Sequence, residues 1–153
     1  STLLAIVSIE LFFFTFFNET YFSIDWMYIN RTFHNFPLAL IEDSVILIDN
    51  QGIFDPYYDK NKVKQNVVTY LTNNLASRLN EYEISFTYYT YEGEEVKLDT
   101  SAKPKNIDIH FRCTYYGAMK YEGYRNFEIR GVKVYEWKII RIYRNKFFKR
   151  TVK

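Results

Sequence analysis

Cysteine occurs once, proline three times and glycine five times in 153 residues, and only two histidines are present. The lone Cys113 cannot close an intramolecular disulfide, so a disulfide-stapled scaffold is excluded. His34 and His110 stand in no spacing that gathers further metal ligands, and no glycine-rich phosphate loop, nucleophile elbow or metal-ligand cluster occurs. Both histidines read as surface or satisfied side chains, Cys113 as a small hydrophobe within a strand, and Glu92, Glu94 and Glu95 as a solvated hairpin tip. No enzymatic activity, cofactor or metal is expected. Charge of one sign is missing from each end. The first fifty residues hold Glu10, Glu19, Asp25, Glu42, Asp43 and Asp49 against Arg31 alone, while from Lys138 onward Lys138, Arg141, Arg144, Lys146, Lys149, Arg150 and Lys153 meet no acid.

What is present in excess is aromatic surface, 20% of the chain, and one hydrophobic run at the N-terminus. From Leu3 to Phe17 every charge is absent except Glu10, and a helix built from this run is apolar all round, as suits lipid or the inside of an assembly. A carboxylate buried there costs several kcal/mol unless a cation or a proton neutralises it. No basic leader precedes the run, and Phe16, Phe17, Asn18, Glu19 and Thr20 make a poor cleavage site, so removal of this segment is not expected. Neither Gly nor Pro occurs before Pro37. Residues 2 to 49 therefore read as one long helix, kinked near Asn35 to Pro37 and capped by Gly52. At 1.5 Å per residue it would extend roughly 70 Å, so its N-terminal half would protrude from a domain of this size. Asn18 and Asn30 head N-glycosylation triplets on this helix and read as chance matches.

After a loop at Gln51 to Tyr58, Val63, Val67, Leu71, Leu75 and Leu79 repeat at i, i+4 behind Asp59, a helix with its N-cap. Period-two alternation follows. Tyr82, Ile84, Phe86 and Tyr88 share one face of a strand; Val96 and Leu98 continue as a short partner beyond a turn at Gly93; Ile107, Ile109, Phe111, Cys113 and Tyr115 form the next strand; Phe127 to Trp137 closes the sheet, with Gly131 a candidate bulge. The fold class is thus α+β: a long protruding N-terminal hydrophobic helix, a second helix and a small antiparallel sheet. Residues 1–50 are read as the extended helix and 51–153 as the head.

The tail from Ile139 to Arg150 interleaves cations with aromatics. It reads as a last strand with a solvated end, as an intersubunit surface carried by Lys146, Lys149 and Arg150 against acidic neighbours, or, least favoured of the three, as a site for single-stranded nucleic acid or an anionic membrane face.

A hydrophobic N-terminal helix with one glutamate, running into an amphipathic half and then a small antiparallel sheet, resembles the type IV pilin superfamily, and within it the tight-adherence and related pilin-like proteins of Gram-positive bacteria. The resemblance implies a membrane-anchored precursor cut just ahead of Ser1. It implies an extracellular homopolymer whose helices pack together, with Glu10 neutralising the Ser1 amine of a neighbouring copy. The assembly residues are then Ser1, Leu4, Val7, Glu10, Leu11 and Phe14. The nine-position separation of Ser1 and Glu10 would set an axial stagger of roughly 13 Å between such helices. The other reading is a single-pass membrane-anchored accessory or binding module of a secretion or conjugation apparatus.

Overall fold

The computed structural model describes residues 2–97, 102–139 and 150–152, with the backbone alone for 13–24, 138–139 and 150–152. In chain order these form α1 (Thr2–His34), α2 (Leu38–Glu42), β1 (Val45–Ile48), β2 (Phe54–Tyr58), α3 (Lys60–Leu75), a single 3₁₀ turn (Ala76–Arg78), and β3 (Glu81–Tyr89), β4 (Asn106–Tyr115), β5 (Met119–Arg130), β6 (Lys133–Ile139) and β7 (Arg150–Val152). The strands make an antiparallel β1–β2 hairpin and a five-stranded antiparallel sheet in the order β3-β4-β5-β6-β7.

The α+β class holds, but the long protruding hydrophobic helix does not. The helix that begins at Thr2 stops at His34, not near Asp49. Leu3 to Phe12 carry exposed apolar side chains, and after Asp25 one face of the helix, with Ile29 and Phe33, joins the core while Trp26, Met27 and Tyr28 remain exposed. Among the described residues, no helix is long and apolar enough to cross a membrane. Phe36 precedes a proline, which disfavours helical backbone there, and Pro37 itself is extended at φ −65° and ψ 138°. Val45, Ile46 and Ile48, expected to extend the helix, form β1 instead, paired Val45↔Tyr58 and Ile46↔Tyr57. Four consecutive branched or aliphatic residues satisfy both periods, and branched side chains favour the pleated backbone. Gly52 is accordingly a hairpin-turn glycine at φ +77° rather than a helix cap. Phe54 to Tyr58, expected as loop, is the partner strand.

The second half of the chain follows the sequence pattern more closely. Asp59 caps α3 by accepting from the amides of Asn61 (3.1 Å) and Lys62 (3.3 Å), and Val63, Val67, Leu71 and Leu75 are buried. The helix ends at Leu75, so Leu79 lies beyond it. On β4 and β5 the alternation places Ile107, Ile109, Phe111, Cys113, Tyr115, Tyr121, Phe127 and Ile129 inside. Gly131 sits in the β5–β6 hairpin turn at φ +63° and is not a bulge. Glu95 makes only an isolated bridge to Tyr89, with the Val96 amide donating to Tyr88 O. Among the described residues no partner strand forms there, and Leu98 lies outside them.

The C-terminal third of α1 is built into this core. Ile29 and Phe33 are fully buried, Phe33 stacks on Phe111 at 5.5 Å, and Trp26 meets Tyr121 edge-on at 5.8 Å. Tyr121 donates to Asn30 Oδ1 at 2.8 Å, so the second glycosylation triplet begins at a side chain engaged in packing. Asp25 is buried against Arg78, 2.8 Å away, and the Arg78 guanidinium lies over the Tyr28 ring. Three large apolar side chains at this junction, Ile29, Phe33 and Phe36, each contribute about 1.5–3 kcal/mol of burial.

Candidate assembly surface

Among the described residues, the exposed large apolar side chains include two groups of four or more. The first is the N-terminal end of α1, where Leu3, Leu4, Ile6, Val7, Ile9, Leu11 and Phe12 are exposed at between 45% (Val7) and 74% (Leu3). Of the expected assembly residues, Leu4, Val7 and Leu11 therefore lie on one exposed segment with Glu10, which has no ion pair among the described residues. Ser1 lies outside the described residues, and of Phe14 only the helical backbone is described. Lys146 and Lys149 likewise fall outside them, and Arg150 is described only as backbone at the start of β7.

The second surface was missed by sequence reasoning. At the end of the β1–β2 hairpin Leu47, Ile48, Ile53 and Phe54 are exposed at 45–58%. Asp49 holds the turn: its Oδ1 accepts from the amides of Gln51 and Ile53, both at 2.9 Å, and its backbone exchanges bonds with Ile53 and Gly52. Two lysines fasten the hairpin to the segment leading into β4. Lys103 Nζ lies 2.7 Å from Asp49 Oδ2 and 3.8 Å from Asp55, and Lys105 Nζ bonds Asp55 and, at 2.6 Å, Pro56 O. The signal that would have found this surface is a polar Asp-Asn-Gln-Gly turn between two short apolar runs.

These ammonium groups, with the backbone amides at Asp49, hold the Asp49 and Asp55 carboxyls below the usual carboxylate range, and Asp49 in turn raises Lys103. Depressed folded-state values mean the pairing is fully present above the unfolded carboxylate range, near pH 4, and is lost as pH falls through the lowered values. Protection factors of the Gln51 and Ile53 amides, taken relative to intrinsic exchange at each pH, are therefore expected to fall on acidification below about pH 4, ahead of those of the sheet amides of β4. Simultaneous loss of protection in β4 would show that the hairpin does not open separately.

The outer face of the sheet carries polar ladders set by register. Arg112 lies between Glu83 and Glu122, pairing with Glu83 at 2.5 Å, and His110 Nε2 is 2.6 Å from Glu122 Oε1 while its ring stacks on Tyr124 at 4.3 Å. Tyr124 also donates to Glu122 Oε1, and these bonds, with His110, lower the Glu122 carboxyl. An open groove of about 440 Å³ runs beside them, lined by Glu83, Arg112, Lys120 and Glu122, and it is not the enclosed, apolar shape of a small-molecule site. Cys113 is buried, and burial pushes its thiol up to about 12, so the reactive thiolate is absent near neutral pH. Among the described residues no group of three His, Cys, Asp or Glu could hold a metal ion. Comparison with protein-family models, with curated proteins and with solved structures finds no match.

Proposed function

We propose that this chain is a structural subunit of a homopolymeric filament, assembling through the apolar side chains at the N-terminal end of α1. Copies would be held in the membrane by that end before assembly and displayed at the cell surface afterwards. The observation that carries this reading is the contrast along α1. From Asp25 onward α1 contributes Ile29 and Phe33 to the core, fully buried, whereas Leu3 to Phe12 present seven large apolar side chains to solvent. A contiguous apolar surface of that size on a small domain marks an interaction site. Burial there would dominate the assembly energy, and Glu10 would select the staggers in which a cation meets it, turning hydrophobic association into a registered one.

The full chain carrying Leu4→Asp and Val7→Asp is expected to lose sedimentable polymer at least tenfold with an unchanged thermal midpoint, because both positions lie outside the core. Glu10→Gln should retain association but assemble slowly or with altered helical parameters. Wild-type polymer yield from the double variant would refute the filament reading. Single copies bound to lipid, with no polymer under any condition, would favour the anchored accessory module instead.

A further inference from the structure

Independently of the filament reading, we infer that the outer edge of β3 pairs with β3 of a second copy, joining the two sheets across a two-fold axis at Ile84. β3 is the last strand of its sheet, bonded to β4 on one side only. The Val96 amide donates to Tyr88 O, and the Lys105 amide, from the β4 side, to Tyr89 O, so Tyr88 turns its backbone groups outward and Tyr89 turns its own inward. By the two-residue repeat of a strand, the N–H and C=O groups of Tyr82, Ile84 and Phe86 also point outward. Among the described residues nothing bonds them.

Monomeric sheets blunt such an edge with Pro, Lys, a bulge or a very short strand. β3 uses none of these: Glu81 to Tyr89 holds no Pro, Gly or Lys, and its nine residues pair with β4 without a register shift. Its acids, Glu81 and Glu83, lie on the outer face, where Arg112 holds Glu83. The core-facing side of the edge is unfinished. On β4, Phe111 and Cys113 are at most 5% exposed, whereas Tyr82, opposite Cys113, is 48% exposed and lines an apolar crevice with Leu71, Leu79 and Phe111. A row of outward amides and carbonyls beside apolar side chains is met by another strand and not by lipid, which offers no partner to the backbone.

The sequence of β3 fits a copy of itself in one register. With Ile84 opposite Ile84 of the second copy, Tyr82 meets Phe86, every outward amide and carbonyl of these three residues finds a partner, and the apolar side chains stay on one face. On the other face Glu83 meets Ser85 and Glu81 meets Thr87, so each carboxylate faces a hydroxyl. Centring the axis on Tyr82 or Glu83 sets acid against acid, and centring it on Ser85 or Phe86 calls on Tyr88, whose carbonyl Val96 already holds. Pairing through identical edges closes a dimer and stops there, and the N-terminal end of α1 takes no part in it.

Hydrogen exchange on the full chain carrying Leu4→Asp and Val7→Asp, which suppress association through α1, reads the pairing residue by residue. Protection of the Tyr82, Ile84 and Phe86 amides should rise with protein concentration, in step with dimer seen by sedimentation, while that of Glu83 and Ser85, bonded to β4, stays constant. Ser85→Glu brings like charges face to face and should weaken the dimer about tenfold, because the two-fold axis repeats the pair, whereas Ser85→Lys, opposite Glu83, should tighten it. Chains carrying Glu83→Cys and Ser85→Cys, mixed and oxidised, should give the mixed disulfide in severalfold excess over either homodimer, the native Cys113 being buried. Outward amides protected at every concentration would assign the edge to another segment of the same chain and overturn the inference. A monomer whose outward amides stay unprotected, or a dimer indifferent to both charge variants, would overturn it equally. None of these outcomes touches polymer formed through α1, so the filament reading stands or falls on its own test.

Discussion

Arg125→Met is expected to cost about 3–5 kcal/mol, the largest single loss among simple substitutions in the head. The Arg125 side chain is 4% exposed, and each of its three nitrogens is hydrogen-bonded. Nε and Nη2 form a two-point pair with Glu136 at 2.8 Å each, while Nη1 donates to Phe33 O and Phe36 O at 3.1 Å. Those two carbonyls lie at the end of α1, where helix geometry leaves acceptors without intrahelical partners, so the guanidinium serves as the cap the local sequence lacks. Its plane also lies over Phe36 and Phe127, at 4.1 and 4.8 Å from the ring centroids. Methionine fills the volume but deprives the half-buried Glu136 of its guanidinium and the carbonyls of their donor. Adding Glu136→Leu should recover part of the loss, since it removes the carboxylate that faced the guanidinium but not the uncapped helix end. Denaturant midpoints of the single and double variants measure this directly. A single variant within 1 kcal/mol of the unmodified chain would show that the helix end is held by packing alone.

Gly123→Ala should destabilise by about 1–3 kcal/mol. Gly123 is opposite Phe111 on β4, and a Cβ added there would lie 2.6 Å from Tyr121 Oη and 2.9 Å from the Phe33 ring. The phenol is tied to Asn30 and the Phe33 ring is packed against Phe36, Phe111 and Tyr121, so neither yields without cost. The reason for glycine here is therefore close approach of α1 to β5, not backbone freedom. Phe33→Leu alone should cost about 1–2 kcal/mol by leaving a cavity. Combined, the two changes should cost less than their sum by about 1 kcal/mol, because each makes room for the other. Additive losses in thermal or chemical unfolding would mean that the added methyl is accommodated elsewhere.

How legible the molecule was depends on whether a residue's neighbours are close in the chain. The face of α3 and the inward residues of β4 were readable because burial follows a local period, 3.6 or 2, and the Asp59 cap because its partners are two and three residues away; on β3 the expected face is buried only at Tyr88, and Tyr82 is exposed. Val45 to Ile48 were misread because four residues cannot distinguish those periods, and the choice was made by Tyr57 and Tyr58 across the hairpin. Arg125 drew no notice in the sequence, since a single cation within an alternating strand looks like any other. Its importance comes from Phe33, Phe36 and Glu136, up to 92 positions away. The His110–Glu122–Tyr124 cluster was invisible for the same reason, being created by strand register.

By itself, then, the sequence determined the α+β class, the polar and apolar faces of the helix α3 and the strand β4, and the one apolar terminal run with its single carboxylate. Each follows from composition or from a period the backbone imposes on neighbouring residues. The tertiary structure alone decided that Ile29 and Phe33 of α1 belong to the core, that the helix end is capped from β5, and that a second apolar surface stands on a hairpin. Those outcomes depend on contacts between distant segments, whose free energies outweigh the fraction of a kcal/mol per residue that local propensity supplies.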